Sequence, residues 1–109
     1  MREPVKFQGK IIGELDWARK IYFTPRNENH VFRKFGDGFG ISCKVIDALM
    51  MKKIETVVVI FQEREALVAP LLSWVTRGEQ WKDGEDEQLI LPGKFFNMKR
   101  LVERQEVLG

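Results

Sequence analysis

Polar and apolar residues alternate over two short stretches early in the chain. In WARKIYFT, Trp17, Arg19, Ile21 and Phe23 share one face and Ala18, Lys20, Tyr22 and Thr24 the other. A period of two predicts a strand, and Pro25 stops it. HVFRKF alternates in the same way over residues 30–35. The polar stretch PRNENH between them predicts that the two strands pair as an antiparallel hairpin with a long loop. VKFQGKIIG, ahead of both, reads as a first strand with Gly9 at a bulge. TVVVIF, from Thr56, is apolar throughout after its first residue and mostly β-branched, as in a central strand covered on both faces. ALVAPL predicts one more strand, ended by Pro70, and QLILP a short last one.

Elsewhere the period lengthens. Val45, Ile46, Leu49, Met50 and Ile54 follow helical spacing after Ser42, whose hydroxyl suits an N-cap. SWVTRG predicts a short helix with Ser73 as N-cap and Gly78 just past its end. In KFFNMKRLVERQEVL, Phe95, Met98, Leu101, Val102 and Leu108 recur at roughly helical intervals. That predicts a C-terminal helix docked on the sheet or on a second subunit. WKDGEDE, between these elements, is expected to be an exposed acidic loop. The expected fold is therefore α+β: a mixed, mostly antiparallel sheet of about five to six strands, with two to three helices packed against it. The chain, residues 1–109, is expected to form one such domain.

Composition narrows the class. Hydrophobic residues make up 44% and charged residues 31%, which argues against disorder. The longest apolar runs are far too short to span a bilayer, and MREPVKFQGK has no apolar core of a secretory signal. The single cysteine, Cys43, excludes an internal disulfide and a cysteine-rich zinc site. These features fit the cytoplasm, and no membrane partner, metal or cofactor is expected. Net charge is +2, but residues 1–53 carry +5 and residues 54–109 carry −3. A basic face toward a polyanion is one outcome of that asymmetry; mixing of the two halves on folding is the other.

The segment FRKFGDGFGISCK holds most of the candidate chemistry. Gly36, Gly38 and Gly40 spell G-x-G-x-G, which matches neither the dinucleotide fingerprint nor the P-loop spacing. An anion-binding turn remains as an expectation: Gly36, Gly38, Gly40 and Ser42 could turn amides toward a phosphate at the start of a helix. The competing reading is a tight reversal that buries Phe35 and Phe39 on the core side. Around it, Arg19, Lys20, Arg26, His30, Arg33, Lys34 and Lys44 are the candidate contacts for DNA or RNA, with cations interleaved among aromatic rings. A regular strand turns His30, Phe32 and Lys34 outward and Val31, Arg33 and Phe35 the other way. Lys34 is then expected to gather with Lys20 and Arg26.

HVFRKFGDGFGIS, followed by a helix, a valine-rich strand and WVTRGEQWKDGEDEQLILP, resembles small uncharacterised proteins found in archaea and in their viruses and plasmids. In those the pattern is an aromatic-basic strand, a glycine turn ending G-[IV]-S and a late D-x-Q-x-x-x-P box. The box here is Asp86, Gln88 and Pro92, and Glu87 stands where the pattern has proline. The resemblance spans about residues 29–96. It implies an archaeal or mobile-element origin, with the host cytoplasm as location if viral, and it carries no activity. Asp86 and Gln88 also have a structural reading, as side chains that fix the loop before the last strand.

The leading expectation is a non-enzymatic domain that binds nucleic acid through the basic, aromatic strand and the glycine turn. The alternative is a protein-interaction module or homodimer, with Trp74, Trp81, Phe95 and Phe96 exposed at the interface. A third reading is a metal-dependent nuclease using Glu63 and Glu65 at the end of the buried strand. Cys43 reads as a small hydrophobe at a helix start rather than as a nucleophile paired with His30.

Overall fold

Val57, Val58 and Val59 are all fully buried, so the strand that carries them is covered on both faces. That strand organises the large sheet of the computed structural model, which describes residues 2–24, 31–62, 65–102 and 106–107. In chain order the elements are β1 (Glu3–Phe7), β2 (Lys10–Leu15), β3 (Lys20–Phe23), β4 (Phe32–Phe35) and β5 (Gly38–Ser42). Then come α1 (Cys43–Met51), β6 (Thr56–Gln62), β7 (Glu65–Pro70), α2 (Leu71–Arg77), β8 (Glu79–Asp83) and β9 (Asp86–Leu91). A 3-10 turn (Gly93–Phe95) leads to β10 (Asn97–Val102) and the short β11 (Glu106–Val107).

The fold is α+β with mostly antiparallel pairing, and its strands divide between two sheets. The large sheet has the order β1-β2-β3-β6-β7-β10, extended by β11, and the small one the order β4-β5-β9-β8. Among the described residues only β3 and β6 pair in parallel, Lys20 opposite Thr56 and Phe23 opposite Val59. The expected hairpin between the strands ending at Phe23 and Phe35 does not form. β3 pairs with β2 and β6, and β4 pairs with β5, because each finds a closer partner in the sheet that buries its apolar face. Gly9 marks a two-residue turn between β1 and β2 rather than a bulge, with Phe7 opposite Lys10. Positive φ at both Gln8 and Gly9 suits the right-handed twist of the flanking strands.

One core joins the sheets. Ile21, Phe23, Val57 and Val59 from the large sheet meet Phe32, Phe39, Ile41 and Leu91 from the small one, with Val45, Ile46 and Leu49 of α1 and Leu71 and Trp74 of α2. Through it runs an aromatic column. Phe23 stacks on Phe32 at 4.7 Å and Phe32 on Phe39 at 5.5 Å, and Phe96 meets both Phe39 and Trp74 edge-on. Trp74 is wholly buried, and its indole Nε1 donates to the Phe39 carbonyl at 3.0 Å. The indole thus fills the core and satisfies its one polar atom, fastening α2 to β5.

Three element boundaries differ from the sequence reading. Residues 97–102 extend as β10 against β7, Asn97 opposite Val68, in place of the expected helix. WKDGEDE forms most of a β8–β9 hairpin, closed by Gly84 at φ 61 between Asp83 and Asp86. α2 starts at Leu71 with Pro70 at its N-cap, so Ser73 lies inside the helix, while Gly78 does stand at the C-cap.

Candidate functional site

The glycine segment is a β-hairpin. Phe35 and Gly38 face each other across the turn, and Gly36 takes φ +59 at its first central position, which glycine reaches without steric cost. Gly38 and Gly40 are not in the turn; they belong to β5, which pairs with β4 on one side and β9 on the other. A Cβ at Gly38 would stand 2.5 Å from the Leu91 carbonyl oxygen, and one at Gly40 would stand 2.8 Å from both Gln88 Oε1 and the Phe35 ring. Each glycine makes room for protein. Ser42 occupies the N-cap position of α1, but it is buried and its side chain makes no capping hydrogen bond.

Electrostatics at that helix start runs against an anion. Burial pushes the Cys43 thiol above its ordinary value of 9.0, and the carboxylates of Glu87, Asp47 and Asp86 push it the same way. Cys43 therefore holds its proton near neutrality and is no activated nucleophile. The D-x-Q-x-x-x-P box lies on β9 and just after it. Gln88 is fully buried under Gly40, and its Nε2 donates to Asp86 Oδ2 at 3.2 Å.

The two adjacent cations of β4 point to opposite faces, but the facing is the reverse of that expected. Phe32 is in the core, 1% exposed, and Arg33 and Phe35 lie on the outer face of the small sheet. There the Phe35 and Trp81 rings are 5.1 Å apart, and the Arg33 guanidinium lies 5.2 Å from one and 5.7 Å from the other. Phe39 is buried as expected, whereas Phe35 is half-buried on this outer face, since neighbours along a strand alternate. Acidic residues crowd the same sheet. Glu79, Asp86 and Glu87 come with β8 and β9, and Lys82 lies 3.9 Å from Glu87. Folding here mixes the basic and acidic halves of the chain.

The remaining candidate cations do not gather. Lys34 is exposed on β4 of the small sheet, while Lys20 is half-buried on β3 of the large one, so the expected cluster of the two is absent. Lys44 is exposed on α1. Arg19 ties two elements together. Its Nη2 donates to the Lys52 carbonyl and its Nε to that of Lys53, at the C-terminal end of α1. A cation there complements the helix dipole and satisfies carbonyls that the helix leaves free. Arg26 and His30 lie outside the described residues.

Of the four aromatics expected at an interface, Trp74 is buried in the core and Phe96 packs against it. Phe95 is half-buried with Arg77 5.1 Å and Lys94 5.2 Å over its ring, and Trp81 belongs to the cluster with Arg33. These four therefore do not form a common exposed surface. Glu65 opens β7 opposite Gln62 and Arg100, and Glu63 lies outside the described residues. Among the described residues no three His, Cys, Asp or Glu side chains are grouped to hold a metal ion, and no helix is long and apolar enough to cross a membrane.

A different surface emerges at the end of α1. Trp17 is 87% exposed, Met51 85% and Leu72 58%, with Met50 and Val75 each 46% exposed. Short hydrogen-bonded links hold their elements together. The Arg19 carbonyl accepts from Glu55 N at 3.0 Å, and the Glu55 carbonyl accepts from Leu71 N at 2.8 Å. Between the helices lies an open groove of about 270 Å³ lined by Met50, Ile54, Glu55, Leu71 and Leu72.

Local geometry fixes this end firmly. The Asp16 carboxylate accepts from Ala18 N at 2.9 Å, Lys20 N at 3.1 Å and the Tyr22 hydroxyl at 2.7 Å, so the turn that projects Trp17 is pinned at three points. α1 ends in a Schellman pattern, with Ile54 N donating to Leu49 O at 3.1 Å and Lys53 N to Met50 O at 3.0 Å. Lys53 takes the left-handed position, φ 58, that glycine usually fills. The sequence carries one sign of this surface in the doubled apolar pairs Met50-Met51 and Leu71-Leu72, more than one buried helix face can use.

Comparison with protein-family models, with curated proteins and with solved structures returns no match.

Proposed function

We propose that the chain is a protein-interaction module that docks through the apolar end formed by the Asp16–Arg19 turn, the end of α1 and α2. The observation that carries this reading is the exposure of Trp17, Met50, Met51, Leu72 and Val75 on elements joined by hydrogen bonds. Scattered exposed apolar residues are ordinary, but Met50 and Leu72 line one groove with Ile54 and Leu71, and an apolar groove of this kind suits an interaction site. The core does not need these side chains. Leu49, Leu71 and Trp74 already bury the inner faces of the two helices. The pinned turn fixes the backbone that carries Trp17, so docking there orders the side chain alone. Methionines adapt their shape to a partner at little cost.

Site-specific photo-cross-linking tests the reading in cells that make the protein. A photoreactive residue at position 17, 51 or 72 is expected to yield a protein adduct of discrete mass, and one at position 82 none. Adducts at all four positions alike, or at none, would remove the apolar end as a docking surface.

A second reading, nucleic-acid binding, has one observation in its favour: the Arg33, Phe35 and Trp81 cluster on the outer face of the small sheet. Rings and a guanidinium on a sheet face suit base stacking. The carboxylates of Glu79, Asp86 and Glu87 on the same sheet weigh against a polyanion. Anisotropy titrations of labelled single-stranded and duplex DNA and RNA at low and moderate salt, with Arg33→Ala beside the parent, decide it. Salt-steep binding that the substitution abolishes would revive this reading.

A further inference from the structure

β8 is the outermost strand of the small sheet, paired on one side with β9. On its other side Glu79, Gln80, Trp81 and Lys82 make no backbone hydrogen bond among the described residues. A free row of N–H and C=O groups is a template for one kind of partner, the backbone of another extended chain. The large sheet guards its β1 edge with Pro4 and with a register shift between Val5 and Lys6. β8 carries neither device, and its five residues pair with β9 in unbroken register.

A cavity adjoins this edge. It measures about 270 Å³ and is lined by Cys43, Gln80, Trp81, Lys82, Glu87 and Gln88, so β8 supplies three of its six lining residues. Lys82 faces Glu87 across the ladder, which puts Gln80, Lys82 and Glu87 on one side of the sheet and Trp81 on the other. Side chains of a strand added to β8 alternate between the same two sides, so every second one is offered to the cavity. Beyond its burial, Cys43 is pushed up by the carboxylates of Glu87, Asp47 and Asp86, so three anions act on this space. Lys82 is the one cation in the lining, 3.9 Å from Glu87 and 68% exposed; Lys44, next along α1, is exposed and does not line it.

We infer that β8 receives an extended segment of another protein as a fifth strand of the small sheet, and that this segment sets an arginine or lysine into the cavity beside Glu87. Backbone bonds along the edge supply affinity with little regard to sequence, and the cavity supplies the preference for a basic residue at one position. A second copy of the chain fits less well. Antiparallel pairing of two β8 strands in the register that uses all five residues puts Glu79 opposite Asp83 at both ends, like charges directly opposed. The edge uses none of the residues of the apolar end, so this inference stands or falls independently of the docking reading. That reading by itself leaves position 82 without an adduct. An adduct there that differs in mass from those at positions 17, 51 and 72 is expected from the added strand.

A peptide of about eight residues, valine and threonine in alternation with one central arginine, tests this by NMR titration of the full chain. Binding is expected to shift the amide signals of residues 79–82 and to slow hydrogen exchange at alternate ones. Two twins of the peptide carry N-methyl groups on alternate amides, one twin on each side of the strand. Only one side can face β8, so one twin is expected to bind and the other to fail. Glutamate in place of the arginine is expected to weaken binding about fivefold or more. Glu87→Gln, first checked for an unchanged melting curve, is expected to shrink that difference. No shift at β8 with any peptide, or twins that behave alike, would overturn the strand addition. Equal affinity of the arginine and glutamate peptides would overturn the basic residue. Light scattering runs alongside: a doubled mass that the arginine peptide returns to the monomer would assign the edge to a second copy and overturn the inference.

Discussion

Gly38→Ala separates a glycine that makes room for protein from a glycine that cradles a ligand. The added methyl would stand 2.5 Å from the Leu91 carbonyl oxygen and 3.3 Å from Leu91 C and Pro92 Cα. All three are backbone atoms, and β5 lies between β4 and β9, so the clash is relieved only by moving two central strands apart. Overpacking of this kind costs about 3 kcal/mol. Gly36→Ala is the internal comparison. Nothing stands within 4 Å of its Cβ, and the cost there is the left-handed φ of +59 alone. Set against the entropy that alanine removes from the unfolded chain, that is about 1 kcal/mol. Urea titration followed by tryptophan fluorescence reads both. With a slope of about 1.5 kcal/mol/M, the midpoint is expected to fall by about 2 M for Gly38→Ala and about 0.7 M for Gly36→Ala, at unchanged slope. A Gly38→Ala protein within about 0.5 kcal/mol of the parent would refute the packing argument and return this glycine to the candidates for ligand contact.

Trp74→Ala should cost about 4 kcal/mol by emptying the core, whereas Trp17→Ala should change stability by less than about 0.5 kcal/mol, and thermal melts of the two decide between buried and projected roles. Arg19→Ala should lose about 1 kcal/mol in chemical denaturation through the freed carbonyls of Lys52 and Lys53, and a variant as stable as the parent would show the contact is worth nothing. Lys53→Gly should raise the urea midpoint slightly, by about 0.5 kcal/mol in stability, because glycine occupies φ 58 without strain; a lower midpoint would speak against the Schellman ending. Reaction of Cys43 with a disulfide reagent across pH should reach half its maximum above 9.0. The folded state holds the proton more tightly than the unfolded one, so this group's contribution to stability is complete below pH 9.0 and declines as pH rises through the shifted value. Half-reaction at or below 9.0 would contradict the burial and the carboxylate neighbours.

Where a segment's partners are forced by its own pattern, the sequence is informative. TVVVIF has no polar face to offer solvent, so its central place in a sheet follows from its letters. The residues after Phe96 show the opposite case. Met98 and Leu101 are three apart and fit a helix, but Asn97 to Arg100 find an open edge on β7, and the ladder outweighs local spacing. Two sheets cannot be read from the chain at all, since which strand pairs with which depends on contacts far apart in sequence. α2 shows why the exposed aromatics are hard to place. Leu71 and Trp74 are three apart, and so are Leu72 and Val75; either pair could face the core, and only the position of β5 and Phe39 selects the first. Arg19 reads as a surface cation in the sequence because nothing in a local stretch announces a helix end 33 residues away.

The small sheet is built from two excursions out of the large one. β4 and β5 lie in the connection between the parallel strands β3 and β6, and β8 and β9 in the connection between β7 and β10. The backbones of the two hairpins pair along the seam where Phe39, Gly40, Ile41 and Ser42 face Leu91, Ile90, Leu89 and Gln88, and Trp81 reaches across it to Phe35 and Arg33. Each hairpin closes through its own two-residue turn, but the seam must wait for distant parts of the chain to come together. It is therefore the natural line of fracture: amides along it should exchange with solvent as one unit, ahead of those in β6. A molecule opened there offers β5 an unpaired edge, and the same hairpin from a neighbouring chain fits that edge as well as its own. Overloaded or gently heated, this protein is expected to fail by trading β8–β9 hairpins between molecules before it fails by unfolding outright.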